Sequence, residues 1–248
     1  MKIILTGMNG TVAPVVGQWL TDQKHVVIPW NRSVVPTDDE DAMRDFIRTV
    51  HPHAFLHIAT GSPDWAAAVA RICAKHHIKF LFTSSVSVFS GSQAGPLTPN
   101  MEPDANDEYG RYKLACEHCV RAACPEAIIV RLGWQIGSAP GSNTMIDYLH
   151  RAETEQGRIE GSSRWRPSCS FLQDTAASLG QVLLHQPAGL YHCEGNPGLT
   201  FHEIATGLNR LLGNPWHIVP GETPVYENLM LDPRVPVRSI ASRLPGPA

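Results

Sequence analysis

The sequence lacks the features of a membrane protein and of a disulfide-stabilised protein. No apolar run approaches the roughly 20 residues that a transmembrane helix needs. The opening MKIILTGMNG is interrupted by Thr6 and Gly7, which leaves it too short for the apolar core of a signal peptide. The six cysteines are spread through 248 residues, a length at which a chain does not depend on disulfides. These absences predict a cytoplasmic protein with free thiols.

The chain also has little net charge. With 20 Lys and Arg against 23 Asp and Glu, its formal net charge is −3. No excess of positive charge is present to attract nucleic acid or an anionic membrane. We therefore expect a small-molecule substrate, with no nucleic-acid or membrane partner. Hydrophobic residues make up 43% of the chain, enough for one large domain or two interlocked lobes.

Strand and helix patterns alternate through the first half of the chain. Short apolar runs bounded by turn residues predict five strands, and segments with apolar residues at helical spacing lie between them. The predicted strands are Lys2–Thr6, His25–Trp30, Ala54–Ala59, Lys79–Ser84 and Ala127–Leu132. The predicted helices run from Val12 to Leu20 and over Asp38–Val50, Asp64–His77 and Asp107–Cys124. This order predicts an α/β fold with a Rossmann-type, doubly wound parallel sheet.

Beyond Gly133 the pattern is looser. Helices are predicted at Asn143–Glu155 and Thr175–His185, and a strand is predicted at Gly189–Cys193. A further helix, which opens with a capping box, is predicted at Thr200–Leu212. The proline-rich tail after Pro215 is expected to be irregular. We expect an NAD(P)-binding Rossmann domain over residues 1–135 and a small substrate-binding lobe over residues 136–248. Some later segments, such as Thr175–Cys193, are expected to be able to pack back on the first domain.

A glycine-rich turn joins the first predicted strand to the first helix. Its sequence, TGMNGTVA, has the form G-x-x-G-x-x-A, in which Gly7 allows a tight turn and Gly10 lets the backbone approach a pyrophosphate. The following helix offers N–H groups and a positive dipole to the phosphates. An ordinary strand-to-helix turn is the alternative, but the strand–turn–helix context favours dinucleotide binding. The expected cofactor contacts are Gly7, Met8, Asn9, Gly10, Thr11 and Val12, with Ala59, Thr60 and Thr83 after later strands.

The residue that follows the second predicted strand is not acidic. Proteins that prefer NAD usually place an acid there for the ribose diol, whereas this chain has Asn31 followed by Arg32. An arginine can pair with a 2′-phosphate through a charge-assisted fork. We therefore expect NADP(H) to be favoured over NAD(H), with contacts from both residues. The alternative is that Arg32 is a solvated turn residue.

The stretch YGRYKLACEHC contains an acid–base candidate. Tyr109 and Lys113 are spaced i, i+4 and share one face of the predicted helix. A tyrosine has a pKa near about 10, and a neighbouring ammonium and a positive nicotinamide ring would lower it. Tyr109 would then exchange a proton with a carbonyl or hydroxyl oxygen while hydride moves at the adjacent carbon. The serines after the fourth strand offer a hydroxyl donor for that oxygen.

The same stretch contains a C-x-x-C pair, Cys116 and Cys119. A zinc site needs about four ligands, and no second C-x-x-C or H-x-x-x-H segment accompanies the pair. A redox pair normally lies at a helix N-terminus, where the dipole favours the thiolate, but this pair lies well inside the predicted helix. We expect both cysteines to be packing residues and expect no metal site.

Taken in order, TGMNGTVA, FTSSVSVFSG and YGRYKLACE resemble the extended short-chain dehydrogenase/reductases, and most closely the dTDP-4-dehydrorhamnose reductase group. The resemblance implies an NAD(P)-dependent oxidoreductase. It implies that Ser85 orients the substrate oxygen, Tyr109 acts as acid or base, and Lys113 binds the nicotinamide ribose and tunes Tyr109. It also implies a homodimer, because in this family the helix that carries the tyrosine often joins a dimeric four-helix bundle. Glu117 completes the family's Y-G-x-[SY]-K-x-x-x-E segment with Tyr109, Gly110 and Lys113, and weaker matches in the second half are Arg131 with Trp134, Gly141 with Asn143, and Gly189–His192.

The sequence departs from the family pattern at the serine-rich turn. Val86 replaces the aspartate of the usual S-T-D-Y-V-F-x-G, and Val86-Ser87 replaces the Asp-Glu pair of nucleotide-sugar dehydratases, which disfavours dehydration. We expect reduction of a keto group of a nucleotide sugar or a similar polar carbonyl compound. The alternatives are an NAD(P)-dependent nucleotide-sugar epimerase and a non-catalytic NADP-binding regulatory subunit.

Substrate contacts are expected mainly in the second lobe. Arg164 and Arg166 flank Trp165, and two arginines around an aromatic ring can hold the diphosphate and base of a nucleotide sugar. A solvated turn is the alternative for this segment. The remaining expected substrate contacts are Ser87, Trp134 and Asn143.

Overall fold

The computed structural model describes residues 1–138 and 143–245, and a parallel sheet lies at its centre. The six strands of this sheet are β1 (Lys2–Leu5), β2 (Val26–Pro29), β3 (Ala54–His57), β4 (Lys79–Ser85), β5 (Ile128–Leu132) and β10 (Gly189–Cys193). Their order is β10-β5-β4-β3-β1-β2, and every neighbouring pair is parallel. The predicted doubly wound α/β sheet is thereby confirmed.

Helices cover both faces of the sheet. They are α1 (Ala13–Asp22), α2 (Glu40–Val50), α3 (Pro63–Lys75), α4 (Glu108–Ala123) and α6 (Leu172–His185). Side chains alternate between faces along each strand, so Ile4 packs in the core under α2, α3 and α4, whereas Ile3 and Leu5 pack in the core under α1 and α6. Strands that are buried on both faces read as continuous apolar runs, which explains why KIIL and AFLH were visible in the sequence.

Side-chain caps fix the starts of several helices. Asp39 accepts a hydrogen bond from the Ala42 amide at α2, and Asp107 accepts one from the Gly110 amide at α4. Such caps satisfy N–H groups that have no partner within the helix. The predicted capping box at Thr200 and Glu203 is confirmed at the start of α7 (Phe201–Leu211). Helix α6 begins three residues before the predicted Thr175 and has no side-chain cap, so its start left no signal in the sequence.

The second half of the chain contains short parallel pairs of strands. Beside α5 (Met145–Gln156) and α7 lie β6 (Trp134–Ile136), β7 (Ile159–Ser162), β8 (Trp165–Arg166), β9 (Cys169–Phe171), β11 (Ile218–Gly221) and β12 (Tyr226–Glu227). Strand β6 pairs with β9, β7 with β11, and β8 with β12. The prediction that the tail after Pro215 is irregular is therefore wrong. Its prolines are tolerated because each strand of a two-stranded sheet is an edge strand.

The chain returns to the main sheet after this excursion. Strand β10 pairs with β5, and α6 packs against α1 on the second face. The division into lobes at about residue 135 stays a prediction. Within the described ranges, no helix is both long enough and apolar enough to cross a membrane.

The strand order creates a crevice at one edge of the sheet. From β1 the chain passes to β2 on one side, and β3 then lies on the other side of β1. In open α/β sheets, ligands bind outside the carboxyl ends of the strands at such a change of direction. The turn after β1 and the segment after β3 are therefore the first places to examine for a cofactor site.

Candidate active site

The glycine loop lies between β1 and α1, directly at this crevice. Gly7 has a φ of 89°, and a Cβ at this position would lie 3.0 Å from the Ala59 amide nitrogen. The Gly10 amide donates to the Gly7 carbonyl at 2.8 Å, which closes the turn. Val12, the N-cap residue of α1, provides no side-chain cap. The predicted loop, Gly7 to Val12, thus combines a tight turn with first-turn N–H groups that suit a pyrophosphate.

Thr6 and His57 hold the segment after β3 against the glycine loop. Thr6 Oγ1 accepts hydrogen bonds from the Ile58 and Ala59 amides at 3.0 and 3.1 Å and lies 3.3 Å from His57 Nδ1. Since the oxygen accepts from two amides, its own hydrogen is directed to His57. Burial is the main cause that lowers the pKa of His57 to about 3, and the positive charge of Lys113 is the next largest. His57 is therefore a neutral structural residue, and Ala59 lies beside the loop as predicted for a cofactor contact.

Arg32 lies at the outer end of the crevice. Its guanidinium donates to the carbonyl of Thr60 and stacks over the buried Trp65 ring at 4.7 Å. Asn31 Oδ1 accepts a hydrogen bond from the Ser33 amide at 2.9 Å, which shapes the turn. Arg32 and Thr60 are exposed, so the guanidinium is oriented by the fold and remains accessible to an anion.

The serine-rich turn places two hydroxyls at the end of β4. Ser85 Oγ donates to Ser87 Oγ and accepts from the Ser87 amide, both at 3.1 Å. Ser85 also lies close enough to the Tyr109 phenol to lower its pKa. A Cβ at Gly110 would lie 2.0 Å from the Ser87 carbonyl oxygen, so only glycine lets α4 approach this turn. The structure therefore brings Ser85, Ser87 and Tyr109 together, and Gly110 is the residue that permits it.

The protonation of Tyr109 differs from the sequence expectation. Burial raises the pKa of the phenol, the neighbouring Ser85 hydroxyl opposes this effect, and Cys116 and Asp107 add to it. The sequence predicts that the neighbouring ammonium lowers the pKa of Tyr109. That prediction is wrong for the groups of the protein itself, which raise this pKa. Because Tyr109 remains 47% exposed, the effect of burial is partial. A raised pKa keeps the phenol protonated at neutral pH.

Lys113 lies beneath this group and is almost completely buried. Its Nζ donates to the Thr83 carbonyl at 3.1 Å and lies between 5.1 and 5.9 Å from the ring centroids of Phe82, Tyr112 and Tyr109. Burial lowers the pKa of the ammonium to about 8. The group is still mostly protonated at pH 7, so it can stabilise negative charge on Tyr109. Thr83 contributes through its carbonyl, at the strand end where the sequence predicted a cofactor contact.

Tyr112 is a residue of this region that the sequence did not single out. Its hydroxyl accepts a hydrogen bond from the Gly61 amide at 3.0 Å. Burial raises the pKa of Tyr112 to about 12. Tyr112 therefore ties α4 to the segment after β3. No spacing rule indicated this, because the bond crosses between elements about 50 residues apart.

The C-x-x-C pair carries no chemistry of its own in this arrangement. Cys116 is 1% exposed, and burial raises the pKa of its thiol, which disfavours the reactive thiolate. Cys119 is partly buried, and both are free thiols. In the two described ranges of the chain, no group of three or more His, Cys, Asp or Glu residues is placed to bind a metal ion.

An aromatic cluster forms the second part of the candidate site. Trp165 stacks with Tyr226 at 5.4 Å and with Trp134 at 6.1 Å, and Phe201 lies 5.1 Å from Trp165. Tyr226 lies 3.6 Å from where a Cβ of Gly91 would be. The cluster, including the predicted Trp134, therefore reaches the segment that follows Ser85 and Ser87.

Each predicted arginine of the second lobe is paired with a glutamate. Arg166 forms an ion pair with Glu227 at 3.3 Å and donates to the Gly198 carbonyl at 3.1 Å. Arg164 lies 4.0 Å from Glu222. The described contacts join Arg164 and Arg166 to these acids and not to Ser85 or Tyr109. Asn143 is exposed just before the cap of α5, and its motif partner Gly141 lies outside the described residues.

Comparisons with known proteins identify a family and several relatives that are named as reductases. A family model described as RmlD substrate binding domain matches residues 63–226. A probable low-salt glycan biosynthesis reductase of Haloferax volcanii is 28% identical in an alignment of 174 residues that covers 60% of this chain and 58% of that protein. A dTDP-4-dehydrorhamnose reductase of Mycolicibacterium smegmatis is 27% identical in an alignment of 251 positions that covers 91% of this chain and 76% of that protein.

A solved structure extends the comparison to the fold. The structure of dTDP-4-dehydrorhamnose reductase from Bacillus anthracis in complex with NADP has a TM-score of 0.80 and 17% sequence identity, and the match covers 93% of this chain and 90% of that chain. At this identity the likeness establishes a common fold. The family match covers the turn after β4, helix α4 and most of the second lobe.

Proposed function

The chain belongs to the family described as RmlD substrate binding domain, and we propose that it uses NADPH to reduce a keto group of a nucleotide sugar or a similar polar carbonyl compound. The grouping of Ser85, Tyr109 and Lys113 beside the glycine-loop crevice carries this proposal. The relatives named as reductases support the reaction type.

The roles of the three residues follow from their contacts. Ser85 Oγ and the neighbouring Tyr109 hydroxyl donate to the carbonyl oxygen of the substrate. Tyr109 then delivers its proton to that oxygen, and its raised pKa suits an acid that is protonated at the start of the reaction. Lys113 stabilises the phenolate that forms. The bound nicotinamide supplies the hydride.

The proposed cofactor is NADP(H) rather than NAD(H). Gly7, Gly10 and the first turn of α1 suit the pyrophosphate, with Met8, Asn9, Thr11, Val12, Ala59 and Thr60 around them. The preference rests on Arg32, whose guanidinium is oriented by Trp65 and the Thr60 carbonyl at the strand end where the ribose binds in this class of fold. A charge-assisted fork from arginine to phosphate favours the 2′-phosphorylated cofactor.

The proposed substrate side is the aromatic cluster around Trp165. Trp134 and Ser87 lie at its boundary with the acid–base group, and Arg164 and Arg166 lie at its outer side. Aromatic and arginine side chains together suit a base and a diphosphate. Asn143 is proposed as a further contact from the start of α5.

Net NADPH consumption with a panel of 4-keto sugar nucleotides tests the proposal. A reductase oxidises NADPH in step with the appearance of the alcohol product. An epimerase interconverts sugars without net consumption, and a regulatory subunit binds NADPH without converting any sugar. Either of the last two outcomes would overturn the proposal, and each identifies the alternative that replaces it.

We also propose a homodimer formed through α3 and α4. These helices pack side by side on one face of the sheet, and the small exposed side chains of Ala115 and Ala122 on α4 would allow close approach of a second copy. Light scattering tests this by separating the 27.2 kDa monomer from a particle of twice that mass. A cytoplasmic location stays a prediction from the sequence.

A further inference from the structure

A buried ion pair continues the acid–base face of α4 toward the sheet. Glu117 lies at i+4 from Lys113, and its two carboxylate oxygens accept hydrogen bonds from Arg131 of β5 at 2.9 and 2.8 Å. Both side chains are 2% exposed. The Arg131 guanidinium also lies 4.8 Å from the ring centroid of Phe89, in the segment after the serine-rich turn. The pair thus fixes the helix that carries Tyr109 against β5.

His192 of β10 connects this ion pair to the backbone of Leu97. Its Nδ1 lies 3.1 Å from the Leu97 carbonyl oxygen, and its Nε2 lies 3.5 Å from Arg131 Nη1. Because a carbonyl only accepts and a guanidinium only donates, Nδ1 carries the hydrogen and Nε2 accepts. Burial and the positive charge of Arg131 lower the pKa of His192 to about 4, in agreement with this neutral tautomer. His192 therefore links Arg131 to Leu97.

Leu97 belongs to a pair of backbone segments, residues 95–97 and 229–231, which we call the strap. The Leu97 amide donates to the Leu229 carbonyl at 2.7 Å, and the Leu231 amide donates to the Leu97 carbonyl at 2.8 Å. The His192 amide donates to Asp232 Oδ2 at 3.2 Å, just beyond the second segment. His192 thus holds the strap through both its ring and its backbone.

The strap continues into the aromatic cluster of the substrate side. A Cβ at Gly95 would lie 3.1 Å from the Glu227 carbonyl oxygen, so the first segment runs closely along β12. Strand β12 carries Tyr226, which stacks on Trp165, and Glu227, which binds Arg166. A continuous set of contacts therefore leads from α4 through Arg131 and His192 to the strands of the proposed substrate side.

We infer that Glu117, Arg131 and His192 are positioning residues that hold the strap and β12 in a fixed place relative to Tyr109 and Lys113. This inference rests in part on the proposed function, since it assigns the link to placing the substrate carbonyl beside the proton donor. The three residues come from three separate parts of the sequence: the tyrosine helix, the fifth strand and the late G-L-Y-H strand.

Two substitutions of His192 test the link without leaving an unpaired buried charge. In His192→Gln, the amide oxygen can accept from Arg131 and the amide nitrogen can donate to Leu97. In His192→Leu, neither bond can form. We expect His192→Leu to accelerate hydrogen exchange at the Leu97 and Leu231 amides by about tenfold or more, since these amides then open locally, and His192→Gln to restore slow exchange. The exposed His185→Leu change, away from the strap, serves as the matched control.

Binding and turnover provide the second set of readouts. The Kd of NADPH is expected to be the same in all variants, because the glycine loop and Arg32 do not contact His192. With dTDP-4-dehydrorhamnose as probe, the KM of His192→Leu is expected to rise about tenfold with a smaller fall in kcat, the pattern of lost substrate binding. Unchanged exchange at Leu97 and Leu231 would overturn the inference. So would an equal weakening of NADPH binding, which would indicate general loosening, or a failure of His192→Gln to restore the strap. If this probe is not turned over, the panel of 4-keto sugar nucleotides decides the proposed function, while hydrogen exchange and NADPH affinity still decide the link.

Discussion

The cofactor side and the substrate side of the molecule are stabilised in different ways. On the cofactor side, polar groups are buried and fixed by contacts between neighbouring strands, as with Thr6 and His57, or between a helix and a strand, as with Lys113 and the Thr83 carbonyl. On the substrate side, short strands are joined across about 60 residues of sequence, and exposed pairs such as Arg166 and Glu227 bridge them.

This difference has consequences for how each side responds to substitution. A buried group with fixed partners has no alternative arrangement, so its removal gives a specific and large effect. An exposed ion pair is screened by water and can rearrange, so its removal costs little. We therefore expect the largest functional effects on the cofactor side and smaller ones on the substrate side.

The largest effect is expected where the two sides meet, at Tyr109. Tyr109→Phe removes the proton donor and leaves the ring and the neighbouring Lys113 in place. We expect kcat/KM for NADPH-dependent reduction to fall about 10²- to 10⁴-fold, the usual contribution of a general acid, with an unchanged Kd for NADPH. Steady-state kinetics and fluorescence titration measure the two quantities. Full turnover by Tyr109→Phe would remove this residue from the mechanism.

Glu194 is the exception expected on the substrate side, because its partly buried carboxyl group is held by backbone amides there. Its carboxylate accepts hydrogen bonds from the amides of Cys169, Asn196 and Met230, yet burial outweighs them and raises its pKa from 4.5 to about 7. A carboxyl whose pKa is higher in the folded protein stabilises the fold when protonated. The contribution of Glu194 to the free energy of unfolding is complete below about pH 4.5 and is lost as the pH rises through about 7.

The shift of Glu194 corresponds to a change on the order of 3 kcal/mol in the free energy of unfolding between those pH values. Urea denaturation as a function of pH measures it. In Glu194→Gln, which cannot titrate, we expect the pH dependence between about 5 and 7 to become flatter by most of this amount. An unaltered pH profile would mean that the carboxylate is solvated and that the substrate side has no buried charge at this position.

The same contrast explains what the sequence could predict. The strands of the main sheet and the glycine loop were visible because their signals are local: continuous apolar runs, a Gly7 turn and an i, i+4 pair on α4. The short strands after Pro215 were missed because two to four residues carry no periodicity and their partners lie far away in sequence. The links made by Tyr112 and His192 were not predicted, because their partners also lie far away in sequence. The direction of the Tyr109 pKa shift was mispredicted because burial cannot be read from spacing.

A smaller effect, on the cofactor side, is expected at Arg32. Arg32→Ala removes the guanidinium that stacks on Trp65, and we expect the preference for NADPH over NADH to fall about 10- to 100-fold, as for loss of a charge-assisted hydrogen bond. The ratio of kcat/KM for the two cofactors measures it. Arg32→Lys is expected to retain part of the preference, because an ammonium keeps the charge but not the fork. An unchanged ratio in Arg32→Ala would assign the arginine to the solvated turn instead.

The smallest effect is expected at the exposed pair of Arg166 and Glu227. Arg166→Ala should lower the free energy of unfolding by less than about 1 kcal/mol, since the pair is solvated, and should raise the KM for a diphosphate-bearing substrate a few-fold. Glu227→Gln tests the negative charge of Glu227 separately from the position of its side chain. It keeps a side chain of similar size beside Arg166 but frees the guanidinium from its counter-ion, so we expect the KM for the same substrate to fall while that for an uncharged carbonyl compound stays constant. If both substitutions raise the KM, the pair positions β8 and β12 rather than binding the diphosphate, and the substrate side would then depend on fixed contacts as the cofactor side does.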